Sequence, residues 1–294
     1  MRGRFEYHRS VSALYDAPVT ILNVKGLDPW IVRPGERFSL RSRDPSSTPL
    51  APGPSDRSKT EKATAALKAK LAGQHSLVQA NEDRSVLVVL QAMDAGGKDG
   101  AVKGLYGGLN PAGAEVVSFG VPSEEERAHD VLWRIHKRLP AKGRVGIFNR
   151  SHYEDVLAVR VRNIAPPTVW RPRFQYFNDF ESALTASGTV VVKLMLHISL
   201  EEQRQRLQDR VNRPDKQWKF RMGDLEDRAL WSTYQTAYQE MLTKTSTATA
   251  PWFVIPADKK WYRDFAVLTI LTTVLDGLKL AYPAQPDLDG LVIE

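Results

Sequence analysis

A glycine-rich segment at residues 91–100 carries the side chains whose types and spacing best suit chemistry. It reads Gln-Ala-Met-Asp-Ala-Gly-Gly-Lys-Asp-Gly and follows a short apolar run. A strand, a glycine-rich turn, a lysine and a helix are the parts of a phosphate-binding loop (P-loop), in which N–H groups at the helix N-terminus bind phosphate oxygens. Gly96, Gly97 and Gly100 are the predicted phosphate-contacting glycines, and Lys98 would add a full positive charge.

The segment departs from the standard P-loop pattern, G-x-x-x-x-G-K-S/T, at two positions. Ala92 stands where the first glycine is expected, and Asp99 replaces the hydroxyl residue that normally contacts Mg²⁺. An ordinary strand-to-helix turn without a ligand is the alternative interpretation. The strand, turn and helix in this order favour the phosphate site.

The two acidic residues of the segment indicate a divalent cation. A phosphate chain would strongly repel Asp94 and Asp99 unless a cation lay between them. The sequence therefore predicts Mg²⁺, with Mn²⁺ as an alternative, held partly by these two carboxylates. Asp94, Lys98 and Asp99 are accordingly predicted to be catalytic.

A second polar segment, residues 149–155, follows another short apolar run and reads Asn-Arg-Ser-His-Tyr-Glu-Asp. Arg150 is suited to bind a transferring phosphoryl group and completes the predicted catalytic set. Glu154 or Asp155 could hold a metal or orient the loop, and Asp155 is predicted as the third metal ligand. Adjacent residues rarely point at each other, so a structural role for His152 is favoured over a nucleophile pair with Ser151.

Seven cations occur between residues 204 and 221, where Trp218 and Phe220 lie among them. Pro214 should end the helix that carries the first of these cations, so the later ones would lie on a loop. A solvated basic face is the usual explanation for a run of charges. The mixture with aromatic residues instead favours a lid, at about residues 204–224, that closes over substrate and neutralises phosphates.

The elements that must position these segments alternate between strands and helices. Short β-branched runs predict strands at 85–90, 115–119, 144–148, 189–198 and 252–255. Ser123 with Glu126, and Ser199 with Glu202, predict helix-starting capping boxes. The alternation predicts a three-layer α/β/α fold, with a five-stranded parallel sheet and its functional loops at the carboxyl edge.

Two further segments read as scaffold. Trp231, Tyr234, Tyr238 and Met241 recur at helical spacing and predict core or subunit contacts. Residues 261–280 are apolar around most of a helix and predict either a buried helix or part of a homo-oligomer interface.

Composition sets the remaining bounds. The 294 residues include no cysteine, which excludes disulfides, thiolate metal sites and cysteine nucleophiles, and the net charge of +7 favours an anionic partner. No run of residues is long and apolar enough to cross a membrane, and residues 1–10 lack the apolar centre of a signal peptide, so we expect a cytoplasmic protein. We expect residues 1–58 to form a partly irregular extension and residues 59–294 a P-loop kinase core.

Seven motifs in order resemble the type-2 polyphosphate kinase family: MDAGGKDG, GLNP, LWRIHKRLP, GIFNRSHYEDVL, RVNRPDKQWKF, WSTYQTAYQEML and PWFVIPADKKWYR. The resemblance extends over about residues 30–282. It implies a P-loop kinase core with a helical lid and Mg²⁺-dependent phosphoryl transfer from polyphosphate to nucleotides. We also expect a homo-oligomer, as a dimer or tetramer, with no nucleic-acid or membrane partner.

Site residues carry over from the resemblance position by position. Asp94, Lys98 and Asp99 match the first motif of the family, and Arg150 matches the second. The resemblance implies that the other ligand-binding residues are Lys103, beside the polyphosphate channel, Asn149, and the lid cations Arg210, Lys216 and Lys219. Many members carry aspartate in place of Asn149, and asparagine resembles the subgroup that accepts both nucleoside monophosphates and diphosphates.

Two other functions fit parts of the same pattern. An ATP-dependent nucleotide kinase would use the same fold. A non-catalytic nucleic-acid or polyanion binder would use the net charge of +7 and would show salt-sensitive affinity without turnover. Asp94 and Asp99 count against the binder, since carboxylates inside a polyanion site weaken simple binding.

Overall fold

The computed structural model describes residues 18–284 and 292–293, and these residues form a mixed α/β fold around a six-stranded sheet. The strands are β1 (Ile31–Val32), β2 (Ser85–Ala92), β3 (Ala114–Ser118), β4 (Val145–Asn149), β5 (Thr189–His197) and β6 (Trp252–Pro256), in the order β1-β6-β5-β2-β4-β3. The prediction of five parallel strands is wrong by one strand. Strand β1 pairs antiparallel with β6, and its two residues are too few to show the alternation that predicts a strand.

The five predicted strands are parallel, and β2 lies between β4 and β5. Leu90 of β2 is paired with Asn149 at the end of β4. The two polar segments of the sequence therefore leave the sheet side by side at its carboxyl edge, where parallel α/β sheets bind their ligands.

Helices cover both faces of the sheet, as predicted. They are α1 (Arg57–Asn81), α2 (Lys98–Tyr106), α3 (Glu124–Ala128), α4 (Trp133–His136), α5 (Ala158–Val161), α6 (Pro167–Trp170), α7 (Arg173–Ala186), α8 (Leu200–Asn212), α9 (Met222–Ala229), α10 (Trp231–Thr245) and α11 (Lys260–Gly277). Side chains of β2 alternate between two hydrophobic cores, with Val88 in the core beneath α1 and α11 and Val89 in the core beneath α7 and α10. Each such buried valine stabilises the fold by about 1.5–3 kcal/mol.

Part of the predicted N-terminal extension packs into the first core. Ile21, Leu27 and Trp30 are fully buried there, and Trp30 Nε1 donates a hydrogen bond to the hydroxyl of Tyr262 at 2.9 Å. Residues 1–17 of the predicted extension lie outside the described residues.

Helix α11 is buried within the chain. It packs against α1 and α2, and residues such as Ile270 and Val274 are inaccessible to solvent. The core explains its apolar circumference, so the helix gives no support to the predicted homo-oligomer. No helix in the described part of the chain has both the length and the hydropathy needed to span a bilayer.

One of the two predicted capping boxes is complete. Ser123 and Glu126 exchange both hydrogen bonds at the start of α3. At α8, Ser199 Oγ accepts from the N–H of Glu202, but the N–H of Ser199 donates to Asp258 Oδ1 at 2.8 Å. The second box is therefore only half formed.

Candidate active site at the carboxyl edge of the sheet

The predicted phosphate loop joins β2 to α2, and its helix begins at Lys98. Gly97 is the N-cap, with a φ of 95° that favours glycine, and it supplies no side-chain cap. The first N–H groups of α2 lack helical partners and carry partial positive charge, as a phosphate site requires. The N–H of Gly96 donates to the carbonyl of Met93 at 2.9 Å within the turn, and the contact of Gly96 with phosphate stays a prediction.

The carbonyl groups of this loop are bonded by side chains, three of which come from distant helices. Lys98 Nζ donates to the carbonyl of Ala92 at 2.7 Å. The other donors are Gln203 to Asp94 O at 3.0 Å, Arg206 to Ala95 O at 3.0 Å and Arg263 to Gly97 O at 3.2 Å. The loop is thus held from α8 and α11 as well as by its own lysine.

The ammonium of Lys98 is buried, and its environment disfavours the charge. Burial and the neighbouring guanidinium of Arg150 lower the pKa of Lys98 to about 8. The group is still mostly protonated at neutral pH. A bound phosphate would favour the protonated form further, so this lysine is suited to anion binding.

Arg150 lies between two carboxylates. Its Nη2 donates to Asp94 Oδ1 at 2.6 Å, and its Nη1 is 3.5 Å from Glu154 Oε2. The backbone of Arg150 is left-handed, with a φ of 65°, and its N–H donates to Leu90 O at 3.0 Å. Such a conformation in a non-glycine residue persists only when surrounding contacts hold it.

The acidic partners of Arg150 titrate differently. Burial raises the pKa of Asp94, but Lys98 and Arg150 outweigh it, so the net shift is downward. Burial dominates at Glu154 and raises the pKa of that carboxyl. The surroundings therefore favour the ionised form more at Asp94 than at Glu154.

A buried ionic network lies behind the Arg150 segment. Lys193, in the middle of β5, donates to Glu181 Oε2 at 2.5 Å, to Tyr153 Oη at 3.0 Å and to Thr245 O at 2.6 Å. Both charged side chains are almost inaccessible to solvent. The network fixes Tyr153, three residues beyond Arg150. His152 is buried beside Glu181, as its predicted structural role requires.

Asp99 lies on the exposed side of the loop and is shared between two elements. Asn149 Nδ2 donates to its Oδ1 at 3.1 Å, and Lys219 Nζ donates to its Oδ2 at 3.0 Å. The structure therefore brings Asn149 and one predicted lid cation to the phosphate loop. Hydrogen bonds from both residues contribute to a lowered pKa of Asp99, against the effect of its burial.

The predicted lid segment contains most of α8, a 3-10 turn at Gln217–Lys219 and the start of α9. Helix α8 ends at Asn212, two residues before Pro214, as expected. Arg210 pairs with Asp224 at 3.1 Å and Lys216 with Asp209 at 2.5 Å. These two cations are engaged within the segment itself, and its closure over substrate stays a prediction.

Asp155 does not join the other predicted metal ligands. Its carboxylate pairs with Arg173 at 2.7 Å, and burial raises its pKa. Successive residues of the 3-10 turn His152–Asp155 point in different directions, so Glu154 faces Arg150 instead. Over residues 18–284 and 292–293, no group of three or more His, Cys, Asp or Glu side chains could hold a metal ion. The arrangement gives Asp155 no support as a ligand.

Several residues at the site have roles that the sequence does not indicate. Tyr234 belongs to the predicted scaffold stripe and is buried, yet its hydroxyl donates to Asp227 Oδ1 at 2.8 Å. Arg162 binds the same carboxylate at 2.8 Å. Arg206 was predicted only as part of the lid, yet it binds the phosphate loop. The predicted channel residue Lys103 lies on α2 and is exposed. No spacing in the sequence connects Arg206 or Arg263 to the loop they bind.

Comparison with known proteins assigns a family to this arrangement. The family described as Polyphosphate kinase 2 matches residues 54–283. The chain is 51% identical to AMP/ADP-polyphosphate phosphotransferase from Meiothermus ruber, over 90% of this chain and 98% of that protein. It is 40% identical to ADP-polyphosphate phosphotransferase from Rhodopseudomonas palustris, over 73% of this chain and 78% of that protein. The crystal structure of Polyphosphate Kinase 2 from Arthrobacter aurescens TC1 superposes with a TM-score of 0.83 at 41% identity, covering 92% of this chain and 94% of that one.

Proposed function

The chain belongs to the polyphosphate kinase 2 family, and from this premise we propose that it phosphorylates both nucleoside monophosphates and diphosphates with Mg²⁺ as cofactor. Phosphoryl transfer between inorganic polyphosphate and nucleotides is the activity of this enzyme. The observation that carries the proposal is the open N-terminus of α2, with Lys98 beside it and Arg150 held by Asp94.

The residues of the chain supply positioning and charge. N–H groups of α2 and the ammonium of Lys98 would bind phosphate oxygens of the polyphosphate chain. Arg150, oriented by Asp94 and Glu154, would bind the transferring phosphoryl group as its charge spreads. In-line attack by the terminal phosphate of the nucleotide needs no covalent intermediate, since alignment and neutralisation lower the barrier.

Mg²⁺ fits the donor set on the condition that substrate phosphates complete its coordination. Asp94 and Asp99 offer hard carboxylate oxygens on either side of the glycines, and each is now paired with a cation. In the described residues no third acidic or histidine ligand completes a cage, and Mg²⁺ in kinase sites commonly uses one or two carboxylates plus substrate phosphates. Asp94 and Asp99 would hold the ion, which when bound would neutralise charge on the phosphates.

The use of both monophosphates and diphosphates is supported by two observations. The Meiothermus ruber relative is named for AMP and ADP, and Asn149 lies at the end of β4, bonded to Asp99. Parallel assays with AMP, ADP, GMP and GDP, each with polyphosphate and Mg²⁺, test the proposal. Turnover of both phosphorylation levels is expected, and activity on diphosphates alone would contradict it.

The same assay separates the two rival functions. A nucleotide kinase that depends on ATP would leave polyphosphate unconsumed, whereas this enzyme should produce ATP from ADP only when polyphosphate is present. A polyanion binder would give no turnover and a steep loss of affinity with salt. Lys98→Ala should abolish most of the ATP signal, and Lys70→Ala is the matched control because Lys70 forms an exposed ion pair with Asp276 on α11.

Assembly and location are expectations from the sequence alone. A homo-oligomer of two or four copies and a cytoplasmic location, with no nucleic-acid or membrane partner, stay predictions. Analytical ultracentrifugation of the full chain tests the first of them.

A further inference from the structure

Two buried arginines meet behind the phosphate loop. Arg206 comes from the middle of α8 and Arg263 from the first turn of α11, and each is less than one-tenth exposed. Arg206 Nη1 donates to the carbonyl of Ala95 at 3.0 Å, and Arg263 Nη1 donates to the carbonyl of Gly97 at 3.2 Å. Two elements distant in sequence therefore hold the backbone between β2 and α2.

The charges of these arginines are already matched. Arg206 pairs with Glu202 at 2.6 Å, and Arg263 pairs with Asp264 at 2.7 Å. Each guanidinium is thus paired with a carboxylate on its own helix and adds little net charge that could attract an anionic ligand. Their contribution to the loop is directional hydrogen bonding, which a guanidinium provides through several donors in a fixed plane.

The guanidinium of Arg263 occupies the space that a side chain would need at two of the predicted phosphate-binding glycines. A Cβ built on Gly97 would lie 2.5 Å from Arg263 Nη1, and one built on Gly100 would lie 2.8 Å from Arg263 Nη2. Gly97 also has a positive φ, but Gly100 does not. Because alanine is normally the better helical residue, the backbone gives no reason for glycine at position 100. The position of Arg263 does give one.

We propose that Arg206 and Arg263 are positioning residues for the polyphosphate reaction. They hold the carbonyls of Ala95 and Gly97 on the far side of the loop, so that the loop N–H groups face the phosphates. Gly100 is glycine because it admits Arg263, not because the phosphate chain approaches it. The inference rests on the proposed function, since it assigns the polyphosphate to this loop.

A double-mutant cycle distinguishes the two explanations of Gly100. Gly100→Ala, Arg263→Ala and the double variant are compared for binding of tripolyphosphate by calorimetry, in the presence of Mg²⁺ and without nucleotide. Each single variant should weaken binding about tenfold or more, as expected for loss of one hydrogen bond from a charged donor. The double variant should bind within about twofold of Arg263→Ala, because Gly100→Ala acts through the arginine.

Two further readouts separate positioning from a general loss of structure. The KM for polyphosphate should rise in both single variants while the KM for nucleotide stays unchanged. Gly73→Ala is the matched control, because Gly73 lies in α1 and a Cβ added to it would meet no atom within 4 Å. That variant should unfold at a slightly higher temperature and bind tripolyphosphate like the unmodified chain.

The outcomes distinguish this inference from the proposed function. Additive losses in the double variant, or unchanged binding by Gly100→Ala, would overturn the positioning role. Failure of the unmodified chain to bind tripolyphosphate would overturn the proposed polyphosphate site instead. If Arg263→Ala does not fold, the cycle is run with Arg263→Gln, which keeps an amide donor and is subject to the same two criteria.

Discussion

Lys219 lies 3.0 Å from Asp99, so the predicted lid segment and the phosphate loop are joined through one ion pair. The second oxygen of the same carboxylate accepts a hydrogen bond from Asn149, at the end of β4. Three separate parts of the chain thus meet at Asp99. A cation held by this carboxylate would compete with the Lys219 contact, which links occupancy of the site to the position of the lid segment.

Lys219→Met should lower kcat/KM for polyphosphate about tenfold, the size of one lost charged contact. Stability should change by less than about 1 kcal/mol, because both partners are more than one-third exposed. Steady-state kinetics and thermal unfolding measure the two effects. Lys244→Met, which removes an ion pair between an exposed lysine and the half-buried Glu240 on α10, is the control for loss of a surface charge. Equal kcat/KM values for polyphosphate in the two variants would show that Lys219 has no specific role in the reaction.

Asp94→Asn and Lys98→Ala should each reduce kcat by about 100-fold or more, equivalent to roughly 3 kcal/mol of barrier. Asp94 orients Arg150 at 2.6 Å, and Lys98 is the charge closest to the loop carbonyls. Turnover with saturating polyphosphate, together with far-UV circular dichroism, tests both variants. A folded variant with near-normal turnover would remove its residue from the mechanism.

The pH dependence should reflect Lys98. Its pKa is lowered to about 8 by burial and Arg150, so the free enzyme loses this positive charge as the pH rises through about 8. Because the protonated form binds phosphate, kcat/KM for polyphosphate should fall above that pH. Bound phosphate raises the pKa, so kcat should fall only at higher pH. Residual activity of Lys98→Ala should lack this alkaline limb, and persistence of the limb would assign it to another group.

The buried pair Lys193 and Glu181 should be important for stability. Lys193→Met leaves the Glu181 carboxylate buried without its cation and should lower the free energy of unfolding by about 3–5 kcal/mol. The double variant Lys193→Met/Glu181→Leu should be less destabilised than Lys193→Met alone. Urea unfolding of Lys193→Met, Glu181→Leu and the double variant measures the difference. A double variant as unstable as the sum of the single changes would show that the pair is not coupled.

The sequence predicted those parts of the site that are local in the chain. Residues 94–100 could be identified because a strand, glycines, a lysine and a helix follow one another directly. A parallel sheet was predicted to place Arg150 at the same carboxyl edge as that loop, and the structure pairs Leu90 with Asn149 there. The short strand Ile31–Val32 was missed because two residues show no periodicity.

Other parts depend on contacts that no local pattern reveals. Arg206 lies 111 residues from Ala95 and Arg263 lies 166 residues from Gly97, so neither contact has a sequence signal. The choice between Glu154 and Asp155 depends on the direction of adjacent side chains in a 3-10 turn. Composition and spacing do not show which of these two carboxylates faces the site.

The hydrogen bond from Trp30 to Tyr262 connects the N-terminal segment to the helix turn that carries Arg263, the arginine that we propose positions the phosphate loop. Tyr262 immediately precedes Arg263, and its hydroxyl also donates to the carbonyl of Pro49 at 2.9 Å. Trp30 and Pro49 therefore support the turn of α11 that contacts Gly97, although both are distant in sequence from the phosphate loop. Shortening or redesigning this segment would alter substrate affinity at a distance, so it belongs with the catalytic core in any engineered version of the enzyme.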